Sequence, residues 1–478
     1  MIKTRGAKNN VLYLGNLSIF RFQLAHLIVL GLCIFYPLEE FLEKWIPRGT
    51  FYEIVRYGGE FILLTLLVWM IITKSIILGR WKSTPIDLFL VFFLIFSLIS
   101  TLINDLPLNV YILGLRPLVR FISVFYLIIQ MGYNDVFARR FAQICLLVAG
   151  FVSVIAVLQS IIGMPITNFL LPKDVEVGGE LVRAGVRQYL ASRTRVFSTL
   201  GRYDTLGTYL SVIILMVTSL YWARIFRKKK YFHYFLICAV PALILSYSRQ
   251  SWLVSILGIV ILMVLYRKYA LLGALGLFSI FAILITIIFL SSYSYYSSDL
   301  VDVSFVNRLL EPFSLRYFEI SRYSYGRLFV IVEVSTRILQ RAPLFGFGPG
   351  NFGTLTTRYL GHDFSSLIDI RPESAYLVND VNWVTILGQI GLIGTFFFGA
   401  ILIIMILRSR KIFKFVSDPL MKGYAGALVA ILVAFIIMGF FGPNFEVRQV
   451  SFFVWSIAGI VFSYRYSKIS KQPSKQEP

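Results

Sequence analysis

Long apolar runs separated by short polar connections recur along the whole chain of 478 residues. Each run has about the length of 20 apolar residues that an α-helix needs to cross a bilayer. The pattern predicts about twelve such helices and therefore an all-α polytopic membrane protein. The predicted helix centres lie near residues 29, 68, 94, 121, 152, 213, 239, 258, 280, 394, 431 and 456.

Positive charge on every second connection predicts the orientation of these helices. Those connections and the two tails carry fourteen lysines and ten arginines, and cytoplasmic segments of membrane proteins collect such charge. We therefore expect both termini in the cytoplasm and the other connections outside. The net charge of +22 then reflects topology, so it does not favour nucleic acid as a partner, and the bilayer itself is the expected surroundings.

The predicted helices and connections divide the chain into five parts. These are the first five spans in 1–162, spans six to nine in 163–291 with an arginine-rich outer loop at 163–204, a large external loop at 292–378, spans ten to twelve in 379–464, and a basic cytoplasmic tail at 465–478.

An amphipathic helix is predicted inside the large external loop, over Tyr323–Arg341. At 100° per residue, its charged side chains share one sector of about 120° and its apolar side chains lie elsewhere. Such a helix would lie at the membrane surface, cover a cavity or pack on the outer ends of the spans. The charged sector contains Arg327, Glu333, Arg337 and Arg341.

The expected outer segments 163–204 and 292–378 hold thirteen arginines but a single lysine. Positive charge on that side runs against the usual distribution. Arginine carries a rigid fork of donors that matches phosphate or carboxylate, which lysine does not. The sequence therefore predicts that this surface holds an anionic group.

Three further arginines lie at or inside the predicted spans. Arg116 and Arg120 are four residues apart in the fourth span and so share one helix face. Arginine inside a membrane is costly and is usually functional or paired, although snorkelling to the interface is the alternative. Arg249, in the short run Ser246–Trp252, lies at the outer end of the seventh or eighth span. It would stand beside the start of the eighth helix, and helix N-termini favour anions.

The sequence offers no metal or nucleotide motif. Cys33, Cys145 and Cys238 lie singly in apolar runs, without the spacing of metal ligands or a disulfide framework. His362 is the only histidine in a predicted outer segment, and there is no P-loop, zinc pattern or nucleophile elbow. We expect neither a metal nor another cofactor.

Four runs in chain order resemble segments of the O-antigen ligase and O-antigen polymerase family of bacterial cell envelopes. They cover roughly residues 190–400, and the first five spans match only in general character. The runs are RTRVFSTLGRYDTLGTYL, which resembles an arginine–turn–HPN–LG.YL segment; SYSRQSW, which resembles a short SR element at a span end; GRLFVIVEVSTRILQRAPLFGFGPGNF, which resembles R…plfG.GpGnf; and DVNWVTILGQIGLIG, which resembles HN.yl..l.e.GliG.

The resemblance implies a GT-C-like fold in the bacterial cytoplasmic membrane. It also implies transfer of glycan from a polyprenyl-pyrophosphate carrier to an acceptor hydroxyl outside that membrane. Fixed cations would then stabilise the departing pyrophosphate, and the arginines predicted to do so are Arg195, Arg202, Arg249 and Arg327, with Arg116 and Arg120. A polymerase is the favoured member; a ligase, with a lipid core or protein as acceptor, and a lipid-linked-oligosaccharide flippase are the alternatives.

The sequence departs from the family at two places that bear on catalysis. Arg202-Tyr203-Asp204 stands where the family often has His-Pro-Asn, and counting back from Gly391 places Asp380 where many members carry the proposed catalytic histidine. Asp380 is therefore one candidate for the general base and His362 is the other. The structural alternative for Asp380 is an N-cap of the tenth helix.

Overall fold

The computed structural model describes residues 6–47, 49–172, 174–177, 180–183, 195–226, 230–277, 326–354, 356–357, 360–375 and 377–469. Six of its helices are long and apolar enough to cross a membrane, or seven if a bent pair forms one span. The chain is thus a multi-pass membrane protein, as the apolar pattern predicts. The count of twelve spans stays a prediction. The span centred at 280, residues 292–325 of the external loop and residues 470–478 of the basic tail lie outside the described residues.

The first half of the described chain is a series of helices followed by a short hairpin. A bend of 58° separates α4 from α5, at the residues that follow Pro117. The elements are α1 (Gly6–Glu43), α2 (Thr50–Met70, continued by a π-helical segment Ile71–Ile77), α3 (Asp87–Ile103), α4 (Leu108–Val119), α5 (Ile122–Met131), α6 (Asp135–Ile162), α7 (Met164–Leu170), and the antiparallel strands β1 (Asp174–Val177) and β2 (Glu180–Arg183).

The second half contains the helices that form the centre of the bundle. Part of the predicted amphipathic helix is present as three continuous segments, Arg327–Phe329, the π-helical Val330–Val334 and Ser335–Arg341, here together called α11. The other elements are α8 (Tyr203–Trp222), α9 (Lys230–Leu245), α10 (Arg249–Leu265), α12 (Pro372–Ala375), α13 (Asn382–Phe415), α14 (Pro419–Met438) and α15 (Arg448–Ile469).

Burial follows the distribution of apolar residues around each helix. α8 and α14 are apolar on every side and are almost wholly buried, whereas most of α2 is exposed on the surface. A helix that is apolar all round belongs in a core or in lipid. The large hydrophobic core therefore runs through α8, α14 and α15, with the outward faces of helices such as α2 left for the lipid.

A second, smaller hydrophobic core lies at one end of the bundle. It is built from α11, the turns that follow it and the start of α13, and its buried members include Val334, Ile338, Phe352 and Val378. The exposed side of α11 is tied to the same unit, since Arg337 Nη1 donates to the carbonyl of Ile368 at 3.1 Å. The predicted amphipathic helix is thus confirmed from Arg327 onward, and it packs on the rest of the chain.

A glycine-rich turn over 343–352 interlocks with a break in α13. Gly391 has φ 65° and ψ −170° within that helix. The turn supplies backbone partners on both sides of the break, with Phe347 N donating to Gly388 O at 2.7 Å and Leu392 N donating to Pro343 O at 2.8 Å. Hydrogen bonds that an unbroken helix would make internally are thus replaced by bonds to the turn.

The same turn also contacts α4 without side chains in between. A Cβ atom on Gly114 would lie 2.0 Å from the backbone nitrogen of Gly350. Only a residue without a Cβ allows two backbones to approach so closely. The turn therefore holds α4 and α13 together at this end of the bundle.

Candidate functional site

Three of the predicted arginines gather around Tyr203, the first residue of α8. The guanidinium carbon of Arg195 lies 4.3 Å from the centre of the Tyr203 ring. The charges of Arg195, Arg202 and Arg327 all act on the Tyr203 phenol. Residues from the connection before α8 and from the start of α11 thus meet at the same end of the bundle.

Two aspartates share this region with the arginines. Arg202 donates to both carboxylate oxygens of Asp204, from Nε at 3.1 Å and from Nη2 at 2.9 Å. The charge of Asp204 raises the pKa of the Arg202 guanidinium, and the charge of Asp380 adds to the effect. Asp380 therefore lies within electrostatic reach of Arg202. The start of α13, which Asp380 precedes, is thus close to these arginines.

Arg249 is the first residue of α10, as the sequence predicts. The start of α10 lies against the start of α8, because the hydroxyls of Ser251 and Thr208 are 3.2 Å apart. A Cβ atom on Gly207 would be 2.5 Å from Ser251 Oγ, so glycine permits the close approach of the two helices. The start of α10, with Arg249 as its first residue, therefore lies beside the start of α8.

These side chains are called the arginine group: Arg195, Arg202, Arg249, Arg327, Asp204 and Asp380. With four guanidinium groups and two carboxylates, its six members carry a formal charge of +2. Arg202 is already held by Asp204 at both ends of its fork, while Nε of Arg195 is buried without a hydrogen-bond partner in the described structure. The group is suited to bind an anion through Arg195 and its neighbours.

Arg116 and Arg120 belong to a separate, buried ion-pair cluster. Glu60 of α2, whose side chain is 6% exposed, lies 2.7 Å from Arg116, 3.4 Å from Arg120 and 3.2 Å from Arg448. Arg448 also pairs with Glu39 near the end of α1. Of the two readings for Arg116 and Arg120, pairing within the membrane protein is what the structure shows.

The two candidate bases occupy different surroundings. His362 Nδ1 is 3.0 Å from Asn351 Oδ1, so this ring is attached to the glycine-rich turn. Asp380 lies in a short 3-10 turn before α13, and the N-cap residue of that helix is Val381. The alternative role of Asp380 as N-cap is therefore wrong, because the helix begins one residue too late for it.

No protein-family model and no curated protein matches this sequence. The role of each residue rests on the geometry and on the chemistry of its neighbours. Within the described ranges, no three His, Cys, Asp or Glu side chains form a group that could hold a metal ion. The cationic groups that these ranges bring together here are arginines.

Sequence reasoning missed the acidic partners of the buried arginines. Glu39 and Glu60 lie in apolar helices, and both residues are buried. Carboxylates at such positions are expensive unless they are paired. These two glutamates in apolar helices were the sequence feature from which the ion-pair cluster could have been predicted. Glu446, which precedes α15 in a short connection, was also missed, and nothing in its sequence neighbourhood marks it.

Proposed function

We propose that the protein transfers glycan from a polyprenyl-pyrophosphate donor to an acceptor hydroxyl at the end of the bundle that carries the arginine group, acting as a polymerase. The observation that carries the proposal is the convergence of Arg195, Arg202 and Arg327 around Tyr203, with Arg249 on the neighbouring helix start. A polyprenyl chain would lie in the bilayer beside the helices. Its pyrophosphate would then stand at their ends, within reach of these arginines.

Stabilising the leaving group is the chemistry that this arrangement supports. When the bond between the sugar C1 and the phosphate oxygen breaks, the electron pair stays with the pyrophosphate and its negative charge increases. Fixed guanidinium groups aimed at that charge lower the barrier because they need no reorganisation during the reaction. The donor is held mainly by Arg195, Arg249 and Arg327, because the fork of Arg202 is engaged by Asp204.

A polymerase and a ligase would differ in the acceptor, and a flippase would differ in the absence of transfer. The purified protein in liposomes is supplied with a polyprenyl-pyrophosphate glycan and no nucleotide. Longer lipid-linked glycan is the result expected for a polymerase. Transfer only after addition of a lipid-core or protein acceptor would indicate a ligase, and movement of unchanged donor across the bilayer would indicate a flippase.

Arg249 provides the sharpest mutational test of donor binding. Arg249→Lys should impair both binding and transfer, because an ammonium group does not reproduce the two-pronged contact of guanidinium with phosphate. The matched controls are Arg139→Lys and Arg139→Ala, since the exposed Arg139 pairs with Asp135 at the start of α6. Normal transfer by Arg249→Ala at normal protein level would contradict the proposed role.

Asp380 and His362 remain the bases predicted from the sequence. Asp380→Asn removes the negative charge of the side chain and keeps its shape. Because Val381 is the N-cap residue of α13, the variant does not remove a helix cap. Transfer should fall at least about tenfold if Asp380 positions or deprotonates the acceptor. A fully active Asp380→Asn together with an inactive His362→Ala would instead assign the base to His362, which contacts the glycine-rich turn through Asn351.

A further inference from the structure

The connection between α14 and α15 joins the starts of three helices. Trp383 N, at the start of α13, donates to Gly439 O at 3.3 Å. Gln250, next to Arg249 at the start of α10, donates through its amide to Asn444. Arg120, at the bend between α4 and α5, donates to the backbone carbonyl of Glu446. The connection is therefore in contact with elements that carry the arginine group.

Glu446 places a carboxylate in this connection. One oxygen, Oε1, accepts from Asn382 Nδ2 at 2.9 Å. The side chain is half-buried, and its other oxygen, Oε2, has no hydrogen-bond partner among the described residues. Asn382 is 1% exposed and lies two residues after Asp380. The amide thus orients the carboxylate and leaves one oxygen available to a further donor.

The environment of Glu446 also suits proton transfer. Burial raises the pKa of this carboxyl to about 7, and the charge of Arg120 opposes part of that rise. Two other helices contact the connection that carries Glu446, and both do so through neutral side chains, Asn382 of α13 and Gln250 of α10. Arg448 of α15 is engaged by Glu39 and Glu60. A base whose pKa lies near the working pH combines the correct ionisation with a useful affinity for the proton.

The two bases predicted from the sequence lie in other surroundings. Asp380 lies within electrostatic reach of Arg202, on the side of the arginines that would hold the donor. His362 is held by Asn351 on the glycine-rich turn. For Glu446 the structure shows an orienting hydrogen bond from Asn382 to one oxygen, and burial raises the pKa of the carboxyl.

We infer that Glu446 is the general base that accepts the proton of the acceptor hydroxyl, an inference that rests on the proposed glycan transfer. The hydroxyl O–H bond breaks and its proton passes to Oε2 of Glu446. The hydroxyl oxygen forms the new bond to the sugar C1, and the bond from C1 to the phosphate oxygen breaks. The electron pair leaves with the pyrophosphate, and Glu446 then releases the proton to water.

Glu446→Gln is the deciding variant, because glutamine can still accept from Asn382 through its amide oxygen but cannot take up a proton. Transfer should fall by about 10²–10⁴-fold, while binding of the polyprenyl-pyrophosphate glycan, measured separately on the same liposomes, stays unchanged. Glu446→Asp should restore part of the activity. The matched control is Glu333→Gln, since the side chain of Glu333 is 45% exposed and pairs with Arg337 on α11.

The pH dependence separates a base from a residue that only supports the fold. In the wild type, transfer should fall about tenfold for each pH unit below about 7, as Glu446 takes up a proton before the reaction. This acidic limb should be lost from the residual activity of Glu446→Gln. Full activity in that variant, or an unchanged acidic limb, would overturn the inference and leave donor binding by the arginine group intact. A wild-type protein that neither binds nor transfers the donor would overturn the proposed function and the inference together.

Discussion

Gly391→Ala should destabilise the protein because it acts on the break in α13. The φ of 65° and ψ of −170° at Gly391 fall in a region that is essentially restricted to glycine, and another residue held there costs about 1–3 kcal/mol. The added methyl group would also lie 2.2 Å from the carbonyl oxygen of Leu344 and 2.5 Å from the nitrogen of Phe345. Both atoms are backbone, so the glycine-rich turn itself would have to move.

Movement of the turn would weaken its hydrogen bonds to α13. The bonds closest to the break are Phe347 N to Gly388 O at 2.7 Å and Leu392 N to Pro343 O at 2.8 Å. Each such bond contributes about 0.5–1.5 kcal/mol. With the backbone strain included, the expected loss in the free energy of unfolding is about 2–6 kcal/mol.

Gly399→Ala is the matched control in the same helix. A Cβ atom at Gly399 meets no other atom within 4 Å, and alanine is favoured over glycine inside a helix by up to about 1 kcal/mol. The same substitution should therefore destabilise at 391 and be neutral or stabilising at 399. Unfolding of the purified protein in detergent, followed by tryptophan fluorescence, measures both. Equal midpoints for the two variants would refute the interlocking of the turn with the helix.

Three other predictions test the ion-pair cluster, the orientation and the chemistry. Glu60→Ala should destabilise the protein by about 3–5 kcal/mol in the same assay, since three arginines lose a buried carboxylate, and a loss no larger than that of the exposed Glu53→Ala would contradict this. A single cysteine at Gln340 should react with an impermeant thiol reagent from outside and one at Lys229 should not; the reverse pattern would exclude the predicted orientation. Transfer should survive EDTA, and a loss that magnesium or manganese restores would show that the arginines are not sufficient.

Local pattern was sufficient to predict the helices and the type of protein. The apolar run around Tyr203–Trp222, the start of α10 at Arg249 and the glycine-rich turn all depend on residues close together in the chain. Hydrophobic periodicity and turn chemistry are local properties, so they can be read without knowledge of the fold. The number of arginines in the predicted outer segments is likewise a property of the sequence alone, and it predicts an anion-binding surface.

The partners of these residues depend on which helix faces meet. Glu39 and Arg448 are separated by 409 positions, and Ser100 and Gln389 by 289. Sequence reasoning therefore assigned Arg120 to a phosphate, although Glu60 lies beside it, and it overlooked Glu446. A side chain acquires its charge environment and its hydrogen bonds only when distant segments pack together, and those contacts decide which arginine is paired and which carboxylate can accept a proton.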